Sequence, residues 1–143
     1  MNFSKAIKIQ PVLDYASGTA SRNSDIVDTL GFGGVCFVVH FGAIASSGTN
    51  SIKAQQGADA ALGDAADLEG TSQSVADSFD DKVKYIDIPN PRERYLRLVV
   101  SKDGSKACAE SAIAYLYNPK IEPVTHAADV AGEFHHAPPE GTA

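Results

Sequence analysis

Tryptophan is absent from this sequence, methionine occurs once, and only two of the 143 residues are cysteines. Cys36 and Cys108 lie in separate apolar stretches without a CxxC spacing, which fits small buried side chains better than a zinc site or a catalytic thiol. A disulfide between them would require neighbouring strands, a condition that the sequence leaves open. The cysteine content therefore favours a structural role for both residues.

Long apolar runs and clusters of basic residues are also missing. The longest apolar run, Val35 to Ala45, is interrupted by His40 and is far shorter than the roughly 20 residues that span a bilayer. The N-terminus continues into an alternating segment rather than a signal-peptide core, so we expect synthesis in the cytoplasm and no membrane partner. With a net charge of −6 and no run of Lys or Arg, nucleic-acid binding is not expected.

Recognisable catalytic and cofactor motifs are missing as well. No serine lies in a GxSxG context, and Gly31 to Gly34 lacks both a GxGxxG pattern and a P-loop lysine. Adjacent His135 and His136 would point to opposite sides of an extended chain, and the aspartates at 77, 80 and 81 lack an EF-hand loop. We therefore expect no enzymatic activity, no cofactor and no metal.

What the sequence does contain is a series of short strand-like segments. Residues 35–44 are apolar on both alternating faces, which predicts a central strand covered on both sides, with His40 as a hydrogen-bonded core or interface residue. Residues 16–24 are predicted to form a loop, and residues 57–81 a long excursion with one helical turn at 59–66. The predicted strands are residues 6–15, 25–29, 35–44, 51–56, 82–88, 94–100 and 106–117.

Two turn signals predict how these strands connect. Residues 46–50 fit a hairpin-like connection, and Asp103-Gly104 predicts a second hairpin between the last two strands. The alanine-rich segment 106–117 also fits a helix, but the Asp-Gly turn and the shared strand face of Ile113, Tyr115 and Tyr117 favour a strand. Glycines 31–34 are expected to form a tight reversal.

The predicted fold class is all-β: an antiparallel β-sandwich or jelly roll over residues 1–118, with a small barrel as the alternative. From residue 119 the composition shifts to Pro, Ala, Gly, Glu and His, with prolines at positions 119, 123, 138 and 139. Such a segment cannot supply a core of its own, so residues 119–143 are predicted to be an extended C-terminal arm that is either disordered or ordered against another surface.

Several segments carry a resemblance to known proteins. They are SDIVDT, GVCFVVHFGAIA, SIKAQQG, DAADLEGT and PRERYLRLVV between Ser24 and Val100, and the ending VTHAADVAGEFHHAPPEGTA. The chain resembles small virion structural proteins of tailed bacteriophages and is similar in size to their head decoration, or cement, subunits.

This resemblance implies a non-enzymatic protein that binds and stabilises the outside of a capsid. The implied partners are the major capsid protein and neighbouring copies of the chain in a homo-oligomer, and the implied location is the surface of the virion. An extended arm could lie over a neighbour, while weak contacts on a repetitive shell act together through avidity. The alternative is a tail or fibre component with a carbohydrate-binding β-sandwich, in which Tyr85, Tyr95, Tyr115 and Tyr117 would stack on sugar rings.

The predicted partner-binding residues come from the arm and from one strand. Apolar arm residues are the main candidates, and the arginines of segment 92–97 are lesser candidates that also fit ordinary salt bridges. These candidates are Ile121, Val124, Val130, Phe134, Arg92, Arg94 and Arg97.

Overall fold

The longest strand, β4, covers Phe32–Ile44 and lies inside a four-stranded antiparallel sheet. The computed structural model describes residues 1–142. Sheet A has the strand order β1-β10-β4-β8, in which β1 is Lys8–Gly18, β8 is Val83–Pro89 and β10 is Cys108–Pro119. A four-residue helix, α1 (Phe3–Ala6), precedes β1. The β-branched and aromatic residues of β4 suit this interior position in the sheet.

Sheet B is built on β9 (Tyr95–Lys102) and β5 (Asn50–Gly57), which pair antiparallel along eight residue positions. Four short strands complete it. The strands β2 (Arg22–Asn23) and β3 (Val27–Asp28) pair with β9, whereas β6 (Ala66–Asp67) and β7 (Gln73–Val75) pair with β5. All strand pairs in both sheets are antiparallel.

The hydrophobic core lies between the two sheets. Alternate residues of β4 point inward from sheet A, and alternate residues of β5 and β9 point inward from sheet B. The largest fully buried apolar side chains are Phe37, Phe41, Ile52, Leu96, Leu98 and Leu116. This arrangement confirms the predicted all-β sandwich class, and β10 confirms that segment 106–117 is a strand rather than a helix.

Both predicted hairpins are wrong. The connection after β4 leads to β5 and the Asp103-Gly104 turn leads from β9 to β10, and each connection crosses from one sheet to the other. In the second turn, Asp103 accepts hydrogen bonds from the amides of Ser105 and Lys106, and its other oxygen accepts one from Thr49. Alternation predicts strands but does not distinguish a hairpin within a sheet from an arch between sheets.

Smaller predictions also need correction. The predicted loop 16–24 contains the end of β1 and all of β2, and Gly33 and Gly34 lie within β4 rather than in a reversal. The excursion 57–81 contains β6 and β7, and in place of the one helical turn predicted at 59–66 it has a hydrogen-bonded turn at Asp59–Leu62. Within residues 1–142, no helix is long and apolar enough to cross a membrane.

The C-terminal arm follows β10, which continues through Pro119. The amide of Lys120 donates to the carbonyl of Gly31, and the amide of Val124 donates to the carbonyl of Lys5, both at 2.8 Å. His126 reaches α1 and β1, with Nε2 2.9 Å from the Ser4 carbonyl and Nδ1 accepting from the Ile9 amide at 3.3 Å. Residues 119–126 are thus held against the sandwich.

Candidate functional site

The outer face of sheet A, which points away from the core, carries a continuous set of apolar and aromatic side chains. Strand register places Pro11, Ile113, Val38 and Tyr85 in one row across all four strands. Val83 is 52% exposed and Tyr85 is 65% exposed. We call this surface the A face, and its apolar and aromatic members are Ile9, Pro11, Tyr15, Val38, Val83, Tyr85, Ile113, Tyr115 and Tyr117.

One end of the A face is covered by the chain itself. Phe3 packs edge-on against Tyr115 with ring centroids 5.9 Å apart, and the arm crosses beside Ile9. The other end stays open, where Tyr15, which is 71% exposed, lies near Gly42. Because large contiguous patches of exposed apolar side chains are typical of interaction sites, the uncovered part of the A face is the leading candidate for protein contact.

Tyr117 fixes part of the A face by bridging two strands that are not neighbours. Its ring lies over Gly34 of β4, where a Cβ atom would overlap the ring. The hydroxyl donates a 2.7 Å hydrogen bond to Asp87 Oδ1 on β8. Burial and this carboxylate raise the pKa of Tyr117 above its usual range, so the hydroxyl keeps its proton.

The outer face of sheet B has a different chemistry. Arg97 Nε donates to Gln55 Oε1 at 2.8 Å, and the side-chain nitrogen Nε2 of Gln55 donates to Asp67 Oδ1 at 2.7 Å. Lys53 Nζ lies 2.7 Å from the other Asp67 oxygen and holds the pKa of that carboxyl below its usual range. This polar network satisfies its own members, so burying the outer face of sheet B would require their desolvation.

Four of the seven predicted partner-binding residues come together at one end of the molecule. Ile121 and Val124 line an open groove of about 470 Å³ between the arm and the β3–β4 turn. Arg92 and Arg94 line an adjoining groove of about 350 Å³. The two grooves share Leu30, Gly31, Phe32 and Lys120, and we call them together the end groove.

The arginines of segment 92–97 do not form one patch. Arg94 makes a two-pronged ion pair with Asp28, with both hydrogen bonds at 2.8 Å, and lies over the Tyr95 ring at 5.0 Å. This pair lowers the pKa of Asp28 and raises that of Arg94. Arg97 donates a hydrogen bond to Gln55. Of the three arginines, Arg92 is the one that is exposed and makes no ion pair with the described residues.

Val130 and Phe134, the other predicted arm residues, line a separate groove beside Ser4 and Ile9. The Phe134 ring lies under Lys5 Nζ at 4.8 Å and packs edge-on against His136. Both residues therefore rest on the chain's own N-terminal segment, although Phe134 remains 42% exposed. The arm side chains are thus divided between two surfaces.

A buried ionic cluster closes the other end of the sandwich. Glu110 is fully buried, with Arg22 Nη1 and Lys102 Nζ each 2.9 Å from one of its oxygens. Lys102 also donates to the carbonyls of Gly18 and Cys108. Burial and the neighbouring Glu110 raise the pKa of the Cys108 thiol to about 11, so it stays protonated at neutral pH.

The aspartates of the long loops accept hydrogen bonds from backbone amides. Asp80 accepts from Ile44 and Asp77 accepts from Ser47, each at 2.7 Å. Asp64 accepts from Ala58 and Asp59, which lowers its pKa. Among residues 1–142, no group of three or more His, Cys, Asp or Glu side chains is arranged to hold a metal ion.

The sequence did not lead us to predict the A face, although the apolar pattern on both faces of segment 35–44 indicated it. The two-sided apolar pattern of 35–44 predicts cover on both faces, but the chain leaves the second face of β4 largely open, with Val38 half-buried and His40 exposed. His40 is therefore not a core residue. Cys36, on the same face, is also only partly buried, whereas Cys108 is buried, and both cysteines are free.

Comparisons with known proteins add little to this description. No protein-family model and no curated protein matches the chain. Among solved structures, the crystal structure of PirA is similar at a TM-score of 0.40 and 16% sequence identity, and the alignment covers 77% of this chain and 93% of that chain. A likeness at this level carries no argument about what the chain binds.

Proposed function

We propose that this chain is a non-enzymatic virion structural protein that binds and stabilises the outside of a bacteriophage capsid. The observation that carries the proposal is the contrast between the two outer faces of the sandwich. The A face presents exposed tyrosine and aliphatic side chains, whereas the outer face of sheet B holds a self-satisfied polar network. The phage assignment itself comes from the sequence resemblance.

The dimensions of the A face fit a contact that acts in many copies. Four strands about 4.8 Å apart, with about eight residues at 3.3 Å each, give the whole outer face of sheet A a flat area of about 500 Å², and the uncovered part is smaller. A stable protein interface buries about 800 Å² per partner, so the A face needs the adjoining arm or the summed effect of many copies. A repetitive shell supplies many copies.

The composition of the A face also fits protein contact. Tyrosine is enriched at interfaces because its ring is apolar and its hydroxyl can still find a hydrogen-bond partner. Within the A face, Asp87 is bonded to Tyr117, and no Lys or Arg is among the residues that point outward from its four-strand register. Docking this face would therefore desolvate few charges.

The proposal is tested by sedimenting the chain with shells assembled from co-expressed major capsid protein. Val83→Glu combined with Tyr85→Glu places two charges on exposed positions of the edge strand β8 and should reduce co-sedimentation at least tenfold. Ser74→Glu, on an exposed position of sheet B, is the matched control and should bind like the native chain. Native-level binding by the double variant would contradict the proposal.

The exposed rings of Tyr15 and Tyr85 on the A face favour a second candidate, a carbohydrate-binding tail or fibre component. Sugar rings stack on such aromatic faces. Glycan binding that is lost on Tyr85→Ala, together with no sedimentation with shells, would support this alternative over capsid binding. The structure separates Tyr95 from the other three predicted sugar-stacking tyrosines, because it lies on the outer face of sheet B, so Tyr95→Ala is the control.

A further inference from the structure

The end groove combines exposed apolar residues with a local excess of positive charge, in a chain whose net charge is negative. Leu30 is 63% exposed and Ile121 is 80% exposed, and Phe32 lies between the two adjoining grooves. Exposed aliphatic side chains along an open channel are a suitable lining for an extended peptide. The end groove is thus a second surface, separate from the A face, that a protein segment could fill.

The cations of the end groove have few local carboxylates. Lys8, Lys120, Arg92 and Arg94 line it, and Glu93 is the one carboxylate among the described residues of its lining, although the chain as a whole carries a net charge of −6. Arg94 is paired with Asp28, but no carboxylate of the described residues lies in ion-pair range of Lys8, Lys120 or Arg92. The lining therefore favours an apolar segment that carries negative charge.

The end of the arm has that chemistry. Every residue from 131 to 142 is exposed, and residues 133–142, which we call the arm tip, carry Glu133 and Glu140 but no Lys or Arg. The arm tip also carries Phe134 and the pair Pro138-Pro139, which keeps the chain extended and lowers the entropy that is lost on binding.

We propose that the arm tip of one copy, residues 133–142, docks in the end groove of a neighbouring copy. The apolar tip residues would lie against Leu30, Phe32 and Ile121, and the two glutamates would face Lys120 and Arg92. The chain's own tip lies outside its own end groove: residues 119–125 form one wall, and residues 130–134 lie in the separate groove beside Ser4 and Ile9, which Phe134 would leave on docking. The inference goes beyond the proposed function, because a contact between copies needs no shell.

Charge reversal tests the contact in the full-length chain. One variant carries Arg92→Glu with Lys120→Glu in the groove, and the other carries Glu133→Lys with Glu140→Lys in the tip. All four positions are exposed, so both variants should unfold at the temperature of the native chain. Sedimentation velocity up to about 1 mM protein, the range of weak contacts, measures association.

We expect the native chain to associate in this range and each variant alone to remain monomeric. An equimolar mixture of the two variants should associate again, because each reversed groove then meets a tip of opposite charge. Lys106→Glu, exposed and outside the end groove, is the control and should associate like the native chain. A native chain that stays monomeric, or a mixture that does not associate, would overturn the proposal, since docking of the tip in its own groove gains nothing from mixing.

Discussion

Tyr117 reaches across Gly34 and donates a 2.7 Å hydrogen bond to Asp87, which links β10 to β8 over the intervening strand β4. The contact is possible because residue 34 has no side chain. It holds an aromatic ring over Gly34 on the A face, so the absence of a side chain at one position helps to shape the surface that we propose binds the capsid.

Gly34→Ala should destabilise the protein by about 1–3 kcal/mol, the usual cost of inserting a methyl group where no space exists. The ring of Tyr117 would have to move and would lose Asp87. Urea denaturation measures the change. Gly132→Ala is the matched control, because a Cβ there meets no atom within 4 Å, and it should change the free energy of unfolding by less than about 0.5 kcal/mol. Equal effects of the two substitutions would contradict the role of Tyr117.

The buried pair of Lys102 and Glu110 gives a second prediction. Lys102→Met should destabilise the fold by about 3–5 kcal/mol, because it leaves the carboxylate of Glu110 buried with only the partly exposed Arg22 as partner. The double variant Lys102→Met with Glu110→Leu should be more stable than Lys102→Met alone. Equilibrium denaturation of these two variants and of Glu110→Leu alone completes the cycle, and additive losses would show that the two side chains do not act as a pair.

The hydrogen bonds to Asp103 should make the stability of the fold depend on pH. The amides of Thr49, Ser105 and Lys106 hold the pKa of this carboxyl well below its ordinary value of 3.8. A lowered folded-state pKa contributes stability that is present above pH 3.8 and is lost as the pH falls below it. The melting temperature of Asp103→Asn should be a few degrees below that of the native chain at pH 7, and the difference should shrink below pH 3.8. A difference that is constant from pH 7 to pH 2 would exclude this role.

His126 should decide whether the arm stays on the body. His126→Ala removes the contacts to Ser4 and Ile9, so limited proteolysis after residue 120 should become faster while the free energy of unfolding changes by about 1 kcal/mol or less. His135→Ala, an exposed residue that contacts Glu133, is the control and should leave the cleavage rate unchanged. Unchanged cleavage in His126→Ala would show that other contacts hold the arm.

The strands were predictable because their alternation records which side chains face the core. Ile52 and Ala54 on β5, and Leu96 and Leu98 on β9, alternate with polar residues and are all buried. Pairing was less predictable, because the Asp103-Gly104 turn has the same local chemistry in a hairpin and in an arch between sheets. The short strands β6 and β7 were missed because they have only two and three residues, of which Val75 alone favours a strand, and because both depend on β5 for pairing.

The candidate site was predictable only in part. The apolar residues of the arm indicated contact, and Ile121 and Val124 do border an open groove. The groove also needs Leu30, Phe32 and Lys8, which are distant in sequence and carry no motif. The A face required strand register, because only the order β1-β10-β4-β8 brings Pro11, Val38, Tyr85 and Ile113 into one row.

Hydroxyl-radical footprinting of the chain on assembled capsid shells, compared with the free chain, tests the proposed orientation most directly. Tyr85 on the A face and Tyr95 on the outer face of sheet B are chemically identical reporters on opposite sides of the sandwich. We expect Tyr15 and Tyr85 to lose most of their reactivity toward hydroxyl radicals on binding, whereas Tyr95 should stay as reactive as in the free chain. Protection of Tyr95 with Tyr85 still reactive would contradict it.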